Sequence, residues 1–189
     1  MKKLFFIAAL LTLTAAASVA QQRSNDEITR EIKRLGVQKM DVTFDAASKT
    51  SKIMAVSENF SNSDANAAGV LAMNFAMGLF YPGEAITTTP QSIHLTFWVL
   101  TKKPRFAENH HFTVDLDGRT IDLGDARYAA KPNQNMEYLN FDIPLTDLKA
   151  IGAGRDVLFK IGGRRFDPAQ SQLKLIRAIS GVVDLSSGR

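Results

Sequence analysis

Nucleophilic, acid–base and metal chemistry draw on a few side-chain types, and their supply and spacing in this chain limit what it can do. The 189 residues contain no cysteine. That removes thiolate nucleophiles, disulfides, cysteine metal ligands and lipid attachment through an N-terminal cysteine. The three histidines are His94, His110 and His111. None is spaced i,i+4 from another or set in an H-E-x-x-H frame, so no metal site is expected. His110 and His111 are neighbours, and in an extended chain their side chains point to opposite sides.

Carboxylates gather at Asp115, Asp117, Asp122 and Asp125. Two acids held ~5 to 10 Å apart can hydrolyse a glycosidic bond. The same four are also what a hairpin leaves on its wet face, and Asp117 before Gly118 suits a tight turn. No serine stands in a G-x-S-x-G turn. Gly152-Ala153-Gly154 lacks the third glycine of a dinucleotide fingerprint and follows a predicted helix instead of a strand, and no P-loop is present. No catalytic residue and no cofactor is therefore assigned.

Two surfaces suit binding. His94, Thr96, Trp98 and Leu100 alternate along one strand pattern and would share a face. If the opposite face packs on helices, this one becomes a half-exposed apolar patch of the kind that marks an interaction site; a second core layer is the alternative. The other surface is basic. Lys160, Arg164, Arg165, Lys174 and Arg177 lie in residues 149–189, which carry eight cations against three acids. Such a cluster can present cations to phosphate or carboxylate groups, or simply form a solvated face.

Residues 1–20 read as an export signal. Lys2-Lys3 is a positive start, Leu4 to Leu11 a short apolar run, and Ser18-Val19-Ala20 fits the small-x-small cleavage rule. The run is too short for a spanning helix of ~20 apolar residues, so no transmembrane segment is expected in the mature chain. Without Lys2 and Lys3 the charge falls from +4 to +2. A periplasmic or secreted bacterial protein is expected. Its partners would be envelope or extracellular proteins, or anionic envelope components, and not nucleic acid.

The elements that must position these residues are legible as patterns. Residues 21–36 carry Ile28, Ile32 and Leu35 at helical spacing, with Asn25 as a candidate cap and Gly36 as a stop. Met40, Val42 and Phe44 alternate, and a four-residue loop would set Val42 opposite Ile53 and Met40 opposite Ala55. Ser61 and Asp64 have capping-box spacing. The apolar run Ala67–Phe80 reads as a buried helix, with Met73, Phe75 and Met77 able to line an apolar ligand. Ile93 to Leu100 is a strand. Asp117-Gly118 should close a hairpin pairing Val114 with Ile121 and Phe112 with Leu123. Arg127–Lys131 should pair with Glu137–Ile143. Thr146 should cap a short helix, Asp147–Ile151, that Gly152 ends. Val157–Ile161 is a strand, and Asp167-Pro168 should open a last helix with Gln170 as capping partner. Its apolar stripe is Leu175, Ile176, Ile179, Val182 and Val183.

Residues 37–189 are thus expected to form one α+β domain, a mostly antiparallel sheet built from hairpins with helices packed on one face. The leading functional expectation is a non-catalytic exported binding module. A hydrolase of envelope or extracellular polymers and a carrier of an apolar molecule or lipid are the alternatives.

Overall fold

The structure, a computed structural model, describes residues 22–37 and 39–186; the export-signal residues 1–20 and Arg189 lie outside the described residues. The chain enters through a two-residue strand, β1 (Arg23–Ser24), and a helix, α1 (Asn25–Leu35). Ser24, one residue before the expected cap, accepts the Glu27 N–H, while Glu27 returns to the Ser24 N–H at 2.9 Å. Gly36, left-handed at φ 62°, ends the helix. The first hairpin, β2 (Met40–Asp45) and β3 (Thr50–Val56), has the register the alternation predicts, Met40 opposite Ala55 and Val42 opposite Ile53.

Helix α2 (Asn62–Ala68) starts at Ser61, whose hydroxyl accepts the Asp64 N–H at 3.1 Å. Here the structure departs from the sequence reading. The helix stops at Gly69 (φ 72°), and most of the run Ala67–Phe80 is a strand, β4 (Ala72–Pro82). The run is apolar on both faces, so period 2 and period 3.6 were not distinguishable within it. Its inner face carries Met73, Phe75 and Met77, each fully buried. Small outer residues, Ala76 and Gly78, let the neighbouring strand's side chains cover the backbone. A Cβ added to Gly78 would lie 2.8 Å from the Met54 sulfur.

The remaining elements are β5 (Ala85–Ile86), β6 (Ser92–Leu100), β7 (His111–Leu116), β8 (Arg119–Asp125), β9 (Arg127–Lys131), β10 (Met136–Pro144), α3 (Leu145–Ala153), β11 (Val157–Ile161), β12 (Arg164–Phe166) and α4 (Gln170–Val183). Three boundaries correct the sequence reading. Helix α3 begins directly after Pro144 and runs through Gly152 to end at Gly154. Helix α4 starts two residues beyond Pro168, where the Ala169 N–H donates to Gln172 at 2.8 Å; Gln172, not Gln170, is the capping partner. In the β7–β8 hairpin Val114 faces Ile121 as expected, but the register shifts between His111 and Thr113, so the simple Phe112–Leu123 pairing does not follow.

Among the described residues the strands form three antiparallel sheets: β1-β5, the six-stranded β2-β3-β4-β6-β10-β9, and the four-stranded β12-β11-β7-β8. This is the α+β class expected. The larger sheets face each other across an aromatic layer. Phe97 on β6 lies 5.3 Å from Phe112 on β7 between ring centroids, and Phe112 lies 5.2 Å from Phe141 on β10. The apolar stripe of α4 is buried, as expected. Leu148 and Ile151 of α3 and Ile176 of α4 close on the same core as Phe75, Leu95 and Phe159. The space left among them is about 10 Å³, roughly one water-sized probe. Met77 and Phe75 therefore line packed core and not a ligand chamber. No helix among the described residues is long and apolar enough to cross a membrane.

Candidate functional site

One face of the six-stranded sheet buries the core; the other is open over β6, β9 and β10 and covered at Ala76 and Gly78 of β4. Strand pairing turns the open face into a grid of cross-strand rows. Asn74, Trp98, Tyr138 and Ala129 form one row, and Ala76, Thr96, Asn140 and Arg127 the next. Gly78, His94 and Asp142 form a third, while Ala72, Leu100, Met136 and Lys131 flank the tryptophan row. Trp98 and Leu100 are 36% and 37% exposed, unlike their buried strand neighbours Phe97 and Val99. The structure thus brings His94, Thr96, Trp98 and Leu100 together with partners that sequence spacing did not identify: Asn74, Tyr138, Asn140, Asp142 and Arg127.

Beside the aromatic row runs a polar chain. Arg127 donates to Asp142 Oδ2 at 2.7 Å, and His94 Nδ1 sits 3.1 Å from Asp142 Oδ1. The hydrogen bonds from Arg127 and His94 hold the Asp142 carboxyl below its ordinary range. His94 Nε2 lies 3.1 Å from Thr96 Oγ1, Thr96 donates to Asn140 Oδ1 at 2.9 Å, and Asn140 donates to the Arg127 carbonyl at 3.0 Å. Asp142, His94 and Thr96 have the order of a hydrolytic triad, but the Thr96 hydroxyl hydrogen is directed to Asn140. Because the Asn140 amide gives its hydrogen to Arg127, its oxygen faces Thr96 and takes the only hydroxyl hydrogen. That hydrogen is therefore not directed at His94, whereas a general base accepts from its nucleophile. Asn74 Oδ1, in the tryptophan row, is buried with no hydrogen-bond partner among the described residues.

The other two histidines and the four clustered aspartates have partners within the fold. His111 bridges Asp125 at 2.8 Å and Asp122 at 3.0 Å through its two nitrogens. The Asp125 hydrogen bond raises its pKa above 6.5, more than its slight burial lowers it. His110 stacks on Tyr128 at 5.8 Å. Asp115 pairs with Lys160 and accepts from Thr120, and Asp117 accepts the N–H groups of Arg155 and Asp156. Each of the four aspartates has a structural partner. Among the described residues no group of three or more His, Asp or Glu side chains could hold a metal ion.

The five basic residues do not converge. Lys160 and Arg165 are cross-strand neighbours in a cleft of about 430 Å³ that also holds Asp115, Asp117 and Asp156. Arg164 lies 5.3 Å over the Phe106 ring and donates to the Ala68 and Gly162 carbonyls. Lys174 and Arg177 line a different hollow, with α1.

Sequence spacing also passed over Glu137. It stands in phase with Leu139, Phe141 and Ile143, and an acid in an inward series signals a buried carboxylate. It is 1% exposed. It accepts the N–H groups of Arg105 and Phe106 at 2.9 and 3.0 Å and the Tyr128 hydroxyl at 3.0 Å. Burial, then that bond, pushes the Tyr128 hydroxyl up to about 12. No family model matches this chain, and no curated protein or solved structure matches it.

Proposed function

We propose that the chain is an exported, non-catalytic binding module of the bacterial envelope or exterior, and that the open face of the six-stranded sheet is its binding surface. The carrying observation is the juxtaposition of the half-exposed Trp98 and Tyr138 in one cross-strand row. Aromatic rings supply large contact area at low entropic cost, and a fixed polar chain beside them supplies orientation. The Thr96 hydroxyl donates to Asn140 and is not poised toward a base, which supports binding over hydrolysis. The export pattern in Met1–Ala20 supports the compartment.

The test is capture from envelope extract with the wild-type chain and with Trp98→Ala, after both are shown to be folded. A component held by the wild type and at least tenfold depleted with Trp98→Ala is expected. Identical recoveries on the two would overturn the assignment of this face. N-terminal sequencing of the exported form should begin at Gln21; material beginning at Met1 would overturn the compartment.

A further inference from the structure

A hollow of about 720 Å³ lies elsewhere, between α1 and α4. It continues into a second hollow of about 220 Å³, the two meeting at Val37 and Lys174. Helix α4 forms the length of this trough. Ser171, Lys174, Ala178, Gly181 and Val182 line it at helical spacing, a rise of about 16 Å. The floor is apolar: Val182 and Ala178 are nearly fully buried in the body of the protein, and Leu35 and Val37 close the α1 side. Gly181 keeps the passage wide, for a Cβ placed there would meet nothing within 4 Å.

The walls are cationic. Arg23, Arg34, Lys39, Lys174 and Arg177 line the two hollows, against the acids Glu31 and Glu58. Arg23 already donates to the Gly181 and Val182 carbonyls at 3.0 and 2.7 Å, where a cation suits the C-terminal end of α4. Arg34 pairs with Glu31 at 2.6 Å. Among the described residues Arg177 bonds through Nε alone, toward the Gly152 carbonyl at 2.8 Å. Lys174 makes no hydrogen bond or ion pair among the described residues, so its ammonium and the terminal nitrogens of Arg177 are the donors available to a ligand. An elongated apolar floor needs a chain; unmatched cations at its wall need an anion.

We propose that this trough binds a single-chain anionic amphiphile, one aliphatic chain ending in a phosphate or carboxylate head. The chain lies along α4 over Ala178 and Gly181, and the head meets Lys174 and Arg177. The site is independent of the open sheet face. The test titrates protein expressed from the full coding sequence with dodecyl phosphate below its micelle threshold, and with dodecyl maltoside and inorganic phosphate in parallel. Dodecyl phosphate should bind saturably at one per chain, at least tenfold tighter than either comparator. Lys174→Gln should weaken it at least fivefold, and Gly181→Leu, which fills the passage from an open position, should do the same; thermal melts confirm that both variants are folded. No saturable binding, binding of either comparator within tenfold, or unchanged affinity in both variants would each overturn the proposal.

Discussion

A glutamate with 1% exposure inside a strand of otherwise apolar inward residues has to be held by donors, because an unpaired buried carboxylate would cost several kcal/mol. Glu137 meets that demand with two backbone N–H groups from the loop after β6 and one tyrosine hydroxyl. The arrangement fixes the loop that carries Phe106, which is itself fully buried and lies under Arg164. Glu137→Gln keeps the shape but turns an NH₂ group toward N–H donors. Chemical denaturation at neutral pH should show a loss of about 2 kcal/mol, with faster amide exchange at Arg105 and Phe106. An unchanged midpoint would show that the carboxylate is not what secures the loop.

Elements with unequal faces were legible from sequence, and elements with uniform composition were not. The β2–β3 register followed from alternation, since a one-residue slip would turn Met40 and Val42 outward. Strand β4 did not, because Ala, Met, Phe and Leu satisfy either period and only the Gly69 stop separated helix from strand. The same logic applies to the candidate site. The residues on β6 could be grouped by alternation along one strand, but their partners on β4, β9 and β10 depend on non-local pairing that no local pattern specifies. Contacts between helices were equally hidden. Asp184, just past α4, pairs with Lys149 on α3. Burial pushes its carboxyl up, but the bonds from Lys149 and Ser186 prevail and hold it at about 2. A depressed carboxyl stabilises the fold above its unfolded value and loses that contribution as pH falls toward the folded one. The shift from 3.8 corresponds to about 2 kcal/mol. Asp184→Asn should therefore lower neutral-pH stability by about that amount and flatten the acid limb between about pH 4 and pH 2. An acid limb as steep as the wild type's would assign it to other carboxylates.

At the scale of the whole molecule, β6 is the strand that joins stability to binding, because its alternate residues face opposite sides of the six-stranded sheet. Phe97 is fully buried and meets Phe112 and Phe159 of the four-stranded sheet as well as Phe75 and Phe141 of its own. Trp98, one residue on, stands on the open face. Without disulfides, the contact between the two sheets must come from packing, and Phe97 is at its centre. Phe97→Ala should cost about 4 kcal/mol through lost burial and a residual cavity. Trp98→Ala should cost less than half as much, since the ring is only partly covered and leaves no closed void. If the two faces have separate roles, the substitutions dissociate: Trp98→Ala keeps a cooperative melt near the wild-type midpoint and loses the partner. Phe97→Ala, studied well below its lowered midpoint, melts early yet still binds. Equal losses of stability from the two would mean that Trp98 is a core residue whose partial exposure carries no function, and the open face would no longer be a binding surface separate from the fold.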